Sequence, residues 1–302
     1  MSGAHSHDHS HAPADFSRAF AIGVLLNIAF VIVEATYGFL SGSMALVADA
    51  GHNLSDVLSL LLAWGASILA RRKPSERFTY GLKSSTILAA IANAATLLIA
   101  LGVILVETIR RLSDPQPVEG GTVMLVAGIG IVINTATALL FLKGRKDDLN
   151  IRGAFLHMAA DALVSLGVVV AGALILLTGA LWIDPVTSLI IVALIAWGTW
   201  GLAKDSIKMG LLGVPDNIDE SAVRTYLTNL PGVERVHDLH IWPMSTTETA
   251  FTAHLVMPQG HPGDKFLHEV AHELEHSHHI GHATIQIEQD CENCVLEDAA
   301  KV

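Results

Sequence analysis

The sequence predicts an all-α transmembrane domain of six helices followed by a small C-terminal α+β cytosolic domain, and three observations carry that expectation. The 302 residues are 51% apolar and only 16% charged, more apolar sequence than one soluble core needs. Six stretches are long enough to cross about 30 Å of hydrocarbon as helices. The acidic excess is confined to the end of the chain: residues 213–302 hold four Lys or Arg against fifteen Asp or Glu, whereas the first 212 hold fourteen of each.

The apolar stretches fall at 17–39, 44–70, 84–112, 119–142, 151–178 and 182–204. The polar, histidine-rich segment MSGAHSHDHSHAPAD precedes the first of them. No short apolar core stands before a small-residue cleavage site there, so the first stretch is a span and not a cleaved signal peptide. Arg71, Arg72, Lys73, Arg77 and Lys83 follow span two, Lys143, Arg145 and Lys146 follow span four, and Lys204 and Lys208 follow span six. These connections share the cytoplasmic side, because basic residues are retained there. Both termini then lie inside. Arg110 and Arg111, near the end of span three, run against the rule. The domain boundaries expected are 1–15 for a histidine-rich tail, 16–212 for the membrane domain and 213–302 for the soluble one.

Within the soluble part, Asp216 or Asp219 can cap a helix that runs to Asn229 and stops at Pro231-Gly232. Strands are expected at 233–242 and 248–257, a helix at 263–277 and a strand at 283–289. The order αββαβ suggests helices on one face of a sheet. A domain this acidic repels phosphates and attracts cations, which excludes nucleic acid as a partner. Cys291 and Cys294, the two cysteines, sit in CENC and read as a metal clip or redox pair, not a disulfide framework.

Ionisable residues inside spans are costly, by about 2.5–3.5 kcal/mol for Asp on insertion scales, and so point to function. Span two, MALVADAGHNLSDVLSLLLAWGASILA, contains Asp49, His52 and Asp56, and span five contains His157 and Asp161. In both spans His and Asp stand four apart, so they project from one helical face at roughly 5–6 Å between Cβ atoms. One such pair alone is equally well a buried hydrogen bond holding a bundle together. Two of them on separate spans supply two imidazoles and two carboxylates, the ligand number of a tetrahedral Zn²⁺ site. Imidazole favours Zn²⁺, Co²⁺ or Cd²⁺ over Mg²⁺ or Mn²⁺. Asp49, one turn before His52, is placed to tune a ligand. Asn27, Glu34, Asn93, Glu107 and Asn134 read as interhelical hydrogen-bonding groups.

The segments ADAGHNLSD, HMAAD, RFTYG and VHDLHIWPMST resemble the cation diffusion facilitator transporters, specifically their zinc-exporting branch, over residues 15 to 294. The resemblance implies six spans, a metallochaperone-like (ferredoxin-like) αββαβ cytosolic domain, a homodimer in the lipid bilayer of a bacterial inner membrane, and efflux of Zn²⁺, Cd²⁺, Co²⁺ or Ni²⁺ against protons. It maps the transport site onto His52, Asp56, His157 and Asp161. Histidine at both first positions resembles the zinc-selective members; aspartate there would resemble manganese or iron carriers. It also implies a regulatory zinc site in the tail at His237, His254 and Glu288, although many bacterial relatives have histidine where Glu288 stands. Cys291 and Cys294 resemble a CxxC that pairs with a histidine-containing N-terminal segment of the neighbouring subunit. Many relatives carry a long histidine-rich loop between spans four and five; here His5, His7, His9 and His11 precede span one instead.

Two other readings compete. HEVAHELEHSHH, residues 268–279, contains the HExxH of zinc proteases and a third histidine at the metzincin offset. The position where metzincins need a bending glycine is Glu275, a helix former. In a continuous helix His278 lies about 80° off the face of His268. Phe266, Leu267, Val270, Ala271 and Leu274 give that helix an ordinary apolar face, with the histidines outside. A membrane metal sensor that moves no ions is the third reading, and paired ligands inside the bilayer favour transport over it.

Overall fold

The computed structural model describes residues 14–141 and 149–290. His5, His7, His9, His11, Cys291, Cys294 and the basic residues 143–146 lie outside the described residues. Six long helices come first: α1 (Ala14–Leu40), α2 (Met44–Ala70), α3 (Ser85–Ser113), α4 (Gly120–Phe141), α5 (Leu149–Thr178) and α6 (Ile183–Gly210). At 1.5 Å per residue even the 22 residues of α4 reach about 33 Å. Among the described residues, α3, α4 from Gly120 to Leu139, α5 from Met158 and α6 are long and apolar enough to cross a membrane. The described apolar part of α1 is Asn27–Leu40. Every helix falls within a few residues of its expected bounds except α6, which runs on past 204 because nothing between Trp200 and Gly210 breaks it.

The chain divides into two compact units, one of residues 1–59 and 96–199 and the other of 60–95 and 200–302. The first holds the site-bearing parts of α2 and α5. Its core is built from Phe30 of α1, Leu46 of α2, Leu101 of α3, Val123 of α4, Val168 of α5 and Ile191 of α6. α4 and α5 touch through their backbones: a Cβ on Gly120 would stand 2.7 Å from the Gly172 carbonyl oxygen, and one on Gly172 would stand 2.9 Å from Met124 Cγ. Without a hydrophobic drive in lipid, such small-residue contacts hold helices together, and this one fixes the placement of α5.

The start of α2 is set from a distance. Asp184, in the first turn of α6, accepts from the amides of Met44 at 2.7 Å and Ala45 at 3.3 Å and from the Ser43 hydroxyl, while Ser43 Oγ accepts from Leu46 N at 3.1 Å. Asp184 is 1% exposed. A carboxylate here satisfies the orphan amides of a helix N-terminus and faces its positive dipole end. Asp184→Ala is expected to destabilise the membrane domain by about 1.5–3 kcal/mol, as for loss of a charged hydrogen-bond partner. An unchanged thermal midpoint in detergent would contradict that. Arg111, which ran against the positive-inside rule, has its own partners: Glu107 at 3.2 Å and the carbonyl of Gly42 in the α1–α2 turn.

In the second unit, α7 (Glu220–Thr228), β1 (Arg235–Pro243), β2 (Thr249–Val256), α8 (Asp264–His278) and β3 (His282–Glu288) realise the expected αββαβ order. Asp219 is the cap of α7, accepting from Ser221 N and Ala222 N. The sheet order is β1-β2-β3, with β1 and β2 antiparallel and β2 and β3 parallel. Val223 and Leu227 of α7 and Val270 and Leu274 of α8 pack against Phe251, Ala253 and Leu255 of β2. Because successive side chains alternate across a strand, His254 faces the other side, away from the helices. In the same unit the β1–β2 turn meets the start of α3: Glu248 pairs with Lys83, Ser84 Oγ donates to the Met244 carbonyl at 3.2 Å, and Thr246 N donates to Thr86 Oγ1 at 3.0 Å.

Candidate metal centres

The first centre lies on α2 and α5. His52 and Asp56 are one turn apart on α2, with Nε2 and Oδ2 separated by 3.7 Å. Asp161 of α5 brings Oδ1 to 3.3 Å from the same Nε2. One ligand atom from each of the three lies within 4.8 Å of the others, the spread that a single small cation spans. Asp161 is 2% exposed, His52 18% and Asp56 32%. His157 stands one turn before Asp161 on α5, and its side chain lies outside the described residues. Two acceptor carboxylates and an imidazole, all able to bind a dication through a lone pair, form a hard-to-borderline donor set.

Around this cluster, Asp49 accepts from Ser165 Oγ at 3.0 Å, and Asn53 Nδ2 donates to Glu34 Oε2 at 2.9 Å. Glu34 and Asn53 thus join α1 to α2, as expected of interhelical hydrogen-bonding groups. Ser165 and Asn53 were not anticipated. Each lies one helical turn or one residue from a member of the HxxxD pairs, and that neighbourhood was the only signal for them.

The second centre is in the soluble domain. His237 of β1 and His254 of β2 are direct cross-strand partners, and their rings meet edge to face at 5.0 Å. Glu288, at the end of β3, reaches both: Oε2 is 2.9 Å from His237 Nε2 and Oε1 is 3.0 Å from His254 Nδ1. The second contact is within ion-pair range but out of line for a hydrogen bond. Atoms of all three residues lie within 4.8 Å of one another. A bulge between His237 and His240 adds a residue to β1, with Asp238 at φ 48°. Short polar side chains tolerate that left-handed conformation. The bulge turns Asp238 toward the site, where Oδ2 lies 3.4 Å from His254 Nε2 and Oδ1 2.9 Å from His240 Nε2. Sequence reasoning missed Asp238, whose only mark was its place inside HDLH.

Burial alone would raise the Glu288 carboxyl, but hydrogen bonds with His237 and Gln286 and the positive charge available on the two histidines outweigh it and hold the group below its ordinary value. A depressed carboxyl contributes stability that is full above the ordinary carboxylate value and is lost as pH falls through the lowered one. Glu288 therefore stays ionised while pH drops through the range near 6.5 where free imidazole takes up a proton. Zinc binding at this cluster is expected to weaken as pH falls, because protons compete with the metal for its ligands. Glu288→Gln is expected to weaken binding at pH 7 by roughly 10–100-fold without changing that pH slope. Competition titrations of wild type and variant check both; an altered slope would show Glu288 to be a titrating group.

The HExxH histidines do not join either centre. α8 runs unbroken to His278, with His268, His272 and His276 exposed. Nδ1 of His268 hydrogen-bonds the Asp264 carbonyl at 2.7 Å, and the rings of His272 and His276 stack at 4.0 Å.

A cluster able to hold a cation on membrane helices, in a chain with a second such cluster on a small α+β domain, is an arrangement suited to a metal-cation transporter of the membrane. Comparison with known proteins agrees. Residues 20–209 match the family described as the cation efflux transmembrane domain, and residues 215–290 match the cation efflux protein, cytoplasmic domain. The chain is 36% identical over 290 residues to the cadmium, cobalt and zinc/H(+)-K(+) antiporter of Bacillus subtilis, covering 94% of this chain and 93% of that one. It is 38% identical over 297 residues to the zinc transporter ZitB of Escherichia coli, covering 96% and 94%. Identity to the metal cation efflux system protein CzcD of Cupriavidus metallidurans is 34% over 302 residues, covering 100% and 94%. The solved metal-bound C-terminal domain of a CzcD transporter is 33% identical and covers 24% of this chain and 99% of that one, at a TM-score of 0.22. The chain belongs to the cation efflux family, the cation diffusion facilitators of the zinc, cadmium and cobalt exporting branch, and is an integral membrane secondary transporter.

Proposed function

We propose that this protein exports Zn²⁺ from the cytoplasm in exchange for protons, by alternating access around His52, Asp56, His157 and Asp161. The convergence of His52, Asp56 and Asp161 to within 4.8 Å inside the membrane helices carries this reading. Imidazole favours Zn²⁺, with Cd²⁺, Co²⁺ and Ni²⁺ as secondary substrates. The names of the relatives from Bacillus, Escherichia and Cupriavidus, a cadmium, cobalt and zinc antiporter, a zinc transporter and a metal cation efflux system protein, support the same substrate class.

Moving a dication outward against an inside-negative potential costs about 2.3 kcal/mol per charge per 100 mV, so a second ion must run inward. Metal and proton compete for one imidazole lone pair. His52 and His157 hold Zn²⁺ as neutral imidazoles on the cytoplasmic side, release it on the other, and return protonated. Asp56 and Asp161 supply the site's oxygen ligands. The domains run 1–15, 16–212 and 213–302, with both termini in the cytoplasm of a bacterial cell bounded by the inner membrane. The protein works as a homodimer. His237, His254 and Glu288, together with Cys291 and Cys294, bind zinc in the soluble part and regulate transport.

Purified protein in liposomes tests the exchange: zinc uptake is expected to rise several-fold with an opposing pH gradient and to collapse when the gradient is dissipated. A potassium gradient alone is expected to leave it unchanged. Zinc uptake indifferent to the pH gradient would overturn the proton reading, and bound zinc without flux would restore the sensor.

A further inference from the structure

The proposed exchange uses two imidazoles and leaves a deeper pair of carboxyls without a task. Glu34 of α1 and Asp49 of α2 are both 0% exposed. Each gives one oxygen to a neutral donor, Asn53 for Glu34 and Ser165 for Asp49. The remaining two oxygens, Glu34 Oε1 and Asp49 Oδ1, are buried and, among the described residues, meet no N–H or hydroxyl. Asn53, which holds Glu34, stands one turn after Asp49 on α2, so the two carboxyls come within reach of each other. Ionised carboxylates are acceptors only, so a hydrogen bond between them needs a proton on one of the pair, as two carboxyls confined to one site share a proton elsewhere.

The pair sits beside the proposed transport site on two helices at once. Asp49 is one turn before His52 on α2, and its partner Ser165 is one turn after Asp161 on α5. Among the described residues, the titratable groups near enough to act on it are His52 and Asp161. α4 carries no Asp, Glu, His, Lys or Arg, and α3 meets α2 beside Asp49 with the apolar side chain of Ile104 at Gly51.

We infer that Glu34 and Asp49 form a proton-binding site of the exchange, holding one proton between them while the metal site is empty and releasing it when a dication binds one turn away. The inference rests on the proton-exchange reading given above. A divalent charge close by favours the doubly ionised pair over the proton-sharing one. The proton leaves to the cytoplasm as Zn²⁺ enters. After Zn²⁺ departs on the far side, one proton from that side closes the pair again. Each cycle therefore carries one proton inward through these carboxyls in addition to any on His52 and His157.

The test counts protons released per zinc bound by full-length protein in detergent, from calorimetry at pH 7 in buffers of different ionisation enthalpy. Glu34→Gln keeps a hydrogen-bond donor toward Asp49 but cannot lose a proton, and Asp49→Asn is its complement. Each variant is expected to release about one proton fewer per zinc than wild type while still binding zinc at the wild-type stoichiometry, with affinity lowered by about tenfold as linkage requires. A wild-type proton count in Glu34→Gln and Asp49→Asn would overturn the inference. So would loss of zinc binding in both, which would assign the pair to shaping the metal site. A wild type that releases no protons at all would instead remove the exchange reading itself.

Discussion

Asp161→Ala is expected to lower zinc flux in proteoliposomes by more than about a hundredfold, beyond the 10–100-fold typical of losing a group that merely orients a metal ligand. Asp161 is the most enclosed member of the transmembrane cluster, at 2% exposure, and its Oδ1 is the atom of α5 that approaches His52 Nε2. Without it the cation loses a ligand and half of the fixed negative charge that the proposed four-residue site provides in a low-dielectric bundle, where few waters can substitute. Asp161→Asn separates the two contributions, since it keeps the shape and a hydrogen-bonding side chain. It is expected to be as inactive as alanine. Recovery of most of the flux by asparagine would mean that Asp161 serves packing and not the ion. Retained binding of zinc at the soluble domain would confirm that the variants fold.

His52→Asp is expected to exchange one selectivity for another. Zinc flux falls by about tenfold or more and manganese flux, negligible in the wild type, becomes measurable, because replacing imidazole with carboxylate moves the donor set from mixed nitrogen and oxygen toward oxygen alone. The substitution acts on the nitrogen that both neighbouring carboxylates approach, at 3.3 and 3.7 Å. The same change also removes one of the two imidazoles that exchange metal for proton, so any remaining manganese flux is expected to depend less steeply on external pH. Unchanged preference among zinc, cadmium, cobalt and manganese would place the selectivity filter elsewhere.

The two HxxxD pairs were legible because a helix converts a spacing of four into a shared face, and because polar residues stand out in apolar sequence. The αββαβ domain was legible for a related reason: alternation in TAHLVM and the apolar stripe of HEVAHEL specify one strand and one helix without reference to anything distant. What stayed hidden depends on partners far apart in the chain. Asp184 fixes the start of α2 from 139 to 141 residues away, and no local pattern announces such a cap. Asp238 joins the soluble-domain cluster only because β1 bulges, and a bulge of one residue leaves no periodic trace. Glu34 and Asn134 looked alike as hydrogen-bonding groups within spans. The structure separates them: Glu34 accepts from Asn53, whereas among the described residues neither amide atom of fully buried Asn134 has a hydrogen-bond partner.

The coordination of zinc in the membrane domain is the most direct measure of whether two imidazoles and two carboxylates surround one ion. X-ray absorption on zinc-loaded protein carrying His237→Ala, His254→Ala, Cys291→Ser and Cys294→Ser would observe that ion alone. The expected spectrum is one zinc per chain in a four-coordinate shell of nitrogen and oxygen at about 2.0–2.2 Å with scattering from two imidazoles. Absence of retained zinc, or a six-oxygen shell without imidazole, would contradict a transport site at His52, Asp56, His157 and Asp161.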